Sequence, residues 1–234
     1  MRLRETLILA LALASANAAS ATTWHDGDMV TWTQADWGDI PNGSNIASTL
    51  YNNYFTVYPS ADFEIGLMGT AGYSAAFTNP QSLIDYLPAD GAVGALDADL
   101  IDPFSTASGS FGGDVAATLL NIDFSDAGLL SGTAPLRFGD LHVYALTTTA
   151  DLNNLTVRQV LDVLNTALGG GPTIDSIDDL DLLARELQGS FFLGTPSTFA
   201  QDHLQAPVPE PSTLLLLVSG VAVVAARRSR VRPT

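Results

Sequence analysis

Carboxylates are the one reactive side chain that this sequence supplies in quantity: 25 Asp and Glu stand against nine Lys and Arg and three His, with no Cys, in 234 residues. Without cysteine there is no disulfide framework and no thiolate metal site. Two acid clusters have the oxygen ligands that calcium takes. Asp97, Asp99 and Asp102 crowd beside Pro103, and Asp26 and Asp28 flank Gly27. Neither sits in a twelve-residue calcium loop. Asp151-Leu152-Asn153-Asn154 begins like one, but Leu155 and Thr156 then occupy positions that need a ligand and a glycine. The plainer reading is of solvated, mutually repelling acids in loops, with Asp97, Asp99 and Asp102 kept as weak metal candidates and calcium as the one cofactor to consider. Asp178, Asp179 and Asp181 fit the first turn of a helix, whose partial positive charge favours acids. A glycan hydrolase would need two facing carboxylates, and a sequence does not give their separation.

The other chemistries are weaker still. His25, His142 and His203 show neither i, i+4 spacing nor H-E-x-x-H. Gly72-Tyr73-Ser74-Ala75-Ala76 approximates a nucleophile elbow but ends in Ala and has no partner motif downstream. Gly109-Ser110-Phe111-Gly112-Gly113 lacks the lysine and the spacing of a phosphate loop and reads as a turn. Trp24, Trp32 and Trp37, followed by Tyr51, Tyr54 and Tyr58, offer faces for stacking on sugars, although core packing is the commoner use of such residues. No catalytic constellation emerges, so the expectation is a non-enzymatic protein, with a calcium-dependent or glycan-binding module as the alternative and a glycan-active hydrolase behind it.

The elements that must position these residues predict a single mixed α+β domain over residues 22–200 ending in a pair of helices. Thr156 and Gln159 form a capping box ahead of the stripe Val157, Val160, Leu161, Leu164, Leu168, and Gly169 to Gly171 stop that helix. Ser176 caps a second helix over 177–188, with Ile177, Leu180, Leu183, Ala184 and Leu187 on one side. Ser44 is the expected cap of a helix carrying Ile46, Leu50 and Tyr54, and Pro80 opens a short one. Strands are expected over 29–33, 63–67, 73–77 and 141–146. Residues 115–124 carry both signals: alanine and leucine favour helix, while Leu120-Asn121-Ile122-Asp123-Phe124 alternates like a strand. Residues 201–207 read as an exposed linker.

The hydrophobic ends set the topology. Arg2 and Arg4, the apolar run from Leu7 to Ala14, and two Ala-x-Ala patterns make a secretory signal peptide over residues 1–21, with cleavage after Ala18 or Ala21. At the far end, Pro209-Glu210-Pro211 precedes an uncharged stretch over 212–226 and then Arg227, Arg228, Arg230 and Arg232. Its fifteen residues would reach about 22 Å as a helix against a hydrocarbon core of about 30 Å, short for a lasting span. The arginines stay cytoplasmic, which puts the body on the outer side of the inner membrane, in agreement with the signal peptide. That body contains 23 acids, three arginines and no lysine, a net charge of −20, which excludes nucleic-acid binding.

The motif, short apolar helix and basic cluster over 208–234 resemble the PEP-CTERM sorting signal of Gram-negative bacteria. The resemblance implies recognition by an exosortase-type membrane enzyme, removal of the tail near the motif, and delivery to the cell surface or extracellular matrix, in company with exopolysaccharide or biofilm. The two prolines hold that segment extended, ready for a processing enzyme. Within the body, Gly112-Gly113-Asp114-Val115, the run from Asn121 to Gly128, Leu155-Thr156-Val157 and the run from Asn165 to Gly171 resemble an uncharacterised domain of variably anchored exported bacterial proteins, a likeness that carries no activity.

Overall fold

The computed structural model describes residues 22–60 and 63–207, and Thr22–Ala206 form one compact unit. Helices and strands are mixed in it, as the α+β reading expects. The described elements are α1 (Gln34–Trp37), α2 (Ile46–Val57), β1 (Phe63–Gly66), β2 (Ser74–Phe77), α3 (Pro80–Tyr86), β3 (Leu100–Ile101), α4 (Ser110–Asp126), β4 (His142–Val143), α5 (Val157–Leu168), α6 (Ile177–Gln188), α7 (Thr198–His203) and β5 (Leu204–Gln205).

The organising element is α4. Phe111, Val115, Ala116, Ala117, Leu120, Ile122 and Phe124 are all fully buried, and so are the polar Asp114, Thr118 and Asn121, so the helix is enclosed around most of its circumference. Such a helix belongs in the middle of a core and has no stripe to read, which is why the sequence signal over 115–124 was divided. Helices α1, α5 and α6, strand β1 and a 3₁₀ turn at Phe138–Asp140 pack around it. The supposed turn 109–113 is helical from Ser110 onward. Gly109 precedes α4 with φ of 58°, and a Cβ there would lie 2.0 Å from the Ala92 carbonyl. Gly112 and Gly113 are helical, and the space their side chains would fill is taken by the Tyr86 hydroxyl and the Gln34 amide.

Helices α5 and α6 form as their patterns predict. Both hydrogen bonds of the Thr156–Gln159 capping box are present, and Ser176 accepts from the Asp179 N–H at 3.2 Å. The cap of α2 is Asn45, not Ser44: its side chain accepts from the Ser48 N–H at 3.1 Å. The first sheet has the order β1-β2-β3, antiparallel then parallel; the second pairs β4 with β5.

Two expectations fail. Residues 29–33 make a single bridge, Thr31 to Phe192, because their backbone groups are met elsewhere: Asn121 bonds both the N–H and the C=O of Trp32, at 2.8 and 2.7 Å, and Thr33 turns away to cap α1. Residues 201–206 are not an exposed linker. They complete α7 and supply β5, Leu204 is fully buried, and Ala206 donates to Thr22 Oγ1 at 2.9 Å. The Trp24 indole donates to the Leu204 carbonyl at 2.9 Å, and the Gln201 amide bonds the Trp24 backbone on both sides. The two ends of the body are therefore tied side by side, and the helix pair α5–α6 is followed by a further packed segment.

Candidate functional site

Two sites collect polar groups with work still to do, one buried and one open. The buried site lies where α1, α4 and α6 meet. Asp114, 1 % exposed, has Oδ1 accepting from Gln34 Nε2 at 2.8 Å and from Gln188 Nε2, while Arg185 Nη2 reaches its Oδ2 at 3.4 Å and Asp181 Oδ2 at 2.6 Å. Gln34 Oε1 in turn accepts from the Ala89 N–H at 3.0 Å. Burial pushes the Asp114 carboxyl up to about 7; the Gln188 bond opposes this and the neighbouring Asp181 carboxyl adds to it. Asp181 Oδ1 is buried with no partner among the described groups. A raised carboxyl is what burial beside a second acid produces, because burial disfavours the charged form and the neighbouring acid opposes a second negative charge. The cluster ties α1, α4 and α6 together. Asp181 thus does more than favour a helix start, as first expected. A second, half-buried carboxyl, Asp123, accepts from the Tyr58 hydroxyl at 2.8 Å and is pushed up by desolvation to about 6.

The open site is a groove of about 360 Å³ between α6, α7 and the loop 146–149. Its α6 wall is the face Asp179, Leu182, Leu183, Glu186, spaced i, i+3, i+4, i+7. Phe199, Asp202 and His203 come from α7, and Thr147, Thr148 and Thr149 from the loop. Asn153 fixes that loop by accepting from the Leu146 N–H at 2.8 Å and donating to the Leu146 carbonyl at 2.9 Å. Helix α7 is fixed by its Ser197 cap and by His203, whose Nδ1 faces the Tyr144 carbonyl at 3.1 Å. Because a carbonyl only accepts, Nδ1 carries the proton and Nε2 is left to act.

The residues singled out in the sequence have other work. Asp99 Oδ1 accepts from the Ser74 N–H at 3.0 Å, and Asp102 accepts from Thr78 N–H and Oγ1 and from Ser82 Oγ. These bonds pin the two ends of the β2–β3 pairing, and the Ser82 bond leads in holding the Asp102 carboxyl below its usual range. Asp97 stands exposed and apart. Asp99 and Asp102 thus serve as strand staples and Asp97 is a surface acid; among the described residues no group of three or more His, Asp or Glu that could hold a metal ion is found. Asp28 caps its own turn by accepting from the His25 N–H at 2.8 Å. Ser74 lies buried in β2 with no histidine against it. Trp24 and Trp37 are core residues, Trp37 edge-on to Phe124 at 5.0 Å, so neither is a sugar platform. Pro209, Glu210, Pro211, Arg227, Arg228, Arg230, Arg232, Ala18 and Ala21 lie outside the described residues. So does the apolar stretch 212–226; among the described residues no helix is long and apolar enough to cross a membrane.

What stands out is an acidic body, folded up to Ala206, which continues directly into a different kind of sequence. That sequence is the PEP-CTERM protein-sorting motif, which matches residues 207–230. The chain is therefore an exported protein made as a membrane-anchored precursor and targeted to an exosortase processing enzyme. No curated protein matches the chain, and no solved structure matches it.

Proposed function

We propose that the protein is a non-enzymatic component of the cell surface or extracellular matrix, associated with exopolysaccharide, whose body is freed when exosortase removes the tail near Pro209-Glu210-Pro211. The signal peptide over 1–21 starts export, the arginines Arg227 to Arg232 hold the precursor's end at the inner face of the inner membrane, and the body folds outside. The observation that carries this reading is the junction: the compact unit ends at Ala206 and the sorting motif begins at residue 207, with no spare sequence between them. A body net −20 in charge and free of lysine suits a soluble role outside the cell, where divalent ions screen self-repulsion. The groove, in place of the tryptophans, supports a carbohydrate-binding role for the body.

The test is replacement of Pro209, Glu210 and Pro211 together by alanine in the native host. The variant is expected to stay at full length in the membrane fraction while the parent leaves it; equal release of both would defeat the proposal.

A further inference from the structure

Beyond sorting, the groove has a recognisable ligand chemistry. The side-chain carboxylates of Glu186 and Asp202 make no hydrogen bond and no ion pair among the described residues, and the three arginines of the body all pair with aspartates elsewhere. No arginine or lysine lines the groove. Its walls therefore attract an ammonium and repel a carboxylate or phosphate. Thr149 adds an independent pointer: the residue is 4 % exposed and lines the groove, and its hydroxyl bonds nothing among the described residues, which leaves it open to a ligand. Phe199 and Leu183 supply an apolar surface for a ring. The volume of about 360 Å³ lies within the roughly 300–1,000 Å³ usual for small-ligand sites. Because Asn153 and Ser197 already fix the loop and helix, little ordering accompanies binding.

We propose that the groove between α6, α7 and the loop 146–149 binds an amine-bearing saccharide, its ammonium between Glu186 and Asp202 and its hydroxyls on Thr149 and the neighbouring threonines. This deepens the matrix reading, on which its biological setting rests; binding itself is read from the groove alone.

The experiment is calorimetric titration of the full chain in neutral detergent with a glucosamine trimer, its N-acetylated counterpart, a galacturonate trimer and the simple diamine cadaverine. The glucosamine trimer is expected to bind one to one, at least tenfold tighter than the acetylated sugar or cadaverine, with no galacturonate binding. The exposed changes Glu186→Gln and Asp202→Asn together remove that binding with the circular dichroism spectrum unchanged, and Thr149→Val weakens it. Equal binding of the acetylated sugar, or retention in the double variant, overturns the ammonium assignment; equal binding of cadaverine overturns the saccharide. Each result is independent of whether the tail is processed in the cell, so failure here and failure of the sorting account are separate outcomes.

Discussion

Replacing Asp114 by Asn should make the body more stable above neutral pH, an unusual direction for a change at a residue 1 % exposed. In the fold the carboxyl is raised from 3.8 to about 7, so its ionised form is the one disfavoured. The sign follows from linkage. The Asp114 contribution is fully present below about pH 3.8, declines as pH rises toward 7, and is gone above that. Between pH 5 and pH 8 the part lost is about two units, roughly 2–3 kcal/mol at 1.36 kcal/mol per unit. Asparagine keeps an oxygen for Gln34 and Gln188 and gives up the 3.4 Å contact of Oδ2 with Arg185. It also has nothing to ionise. Urea unfolding followed by tryptophan fluorescence at pH 5 and pH 8 measures this while staying above the isoelectric point of about 4.1. Burial also raises Asp123, with the same sign, so the parent loses stability across this window for more than one reason, and the difference between parent and variant isolates Asp114. The reasoning fails if Asp114→Asn shifts stability equally at both pH values, or lowers it at pH 8.

Two further changes probe the frame around the sites. Leu204→Ala should cost about 2–5 kcal/mol in the same unfolding assay, the usual penalty for emptying a buried leucine site, whereas a residue of an exposed linker would cost almost nothing. Gly113→Ala gains up to about 1 kcal/mol of helix propensity, yet its Cβ would lie 1.9 Å from Gln34 Oε1, so a net loss of about 1–2 kcal/mol is expected, and a stabilised variant would show that Gln34 does not need that place.

How much of this was legible beforehand depended on whether a segment makes its own signals. Helices α5 and α6 carry a cap, a stripe and a stop within a dozen residues, and they form where those marks put them. Helix α4 is enclosed on most sides and its polar residues Asp114, Thr118 and Asn121 are buried with the apolar ones, so no solvent face sets its period and its neighbours decide it. Residues 29–33 have strand-like composition, but the partner that satisfies Trp32 is a side chain 89 positions away. The segment 201–206 is short and polar, and its fate depends on Trp24 at the opposite end of the body. The candidate sites divide likewise. Asp181 and Arg185 were visible as an i, i+4 pair, but that Asp114 and Gln188 close over them is a tertiary fact. The groove wall Asp179, Leu182, Leu183, Glu186 has helical spacing, whereas its meeting with Phe199, Asp202 and Thr149 has no sequence mark.

The sorting account is tested most directly by mass spectrometry of the protein recovered from the native host's surface or medium. The expected species begins at Ala19 or Thr22 and ends close to Pro209, beyond Ala206 and before the arginines, so that the tie between Ala206 and Thr22 survives processing. Recovery of a form that still ends at Thr234 would contradict it.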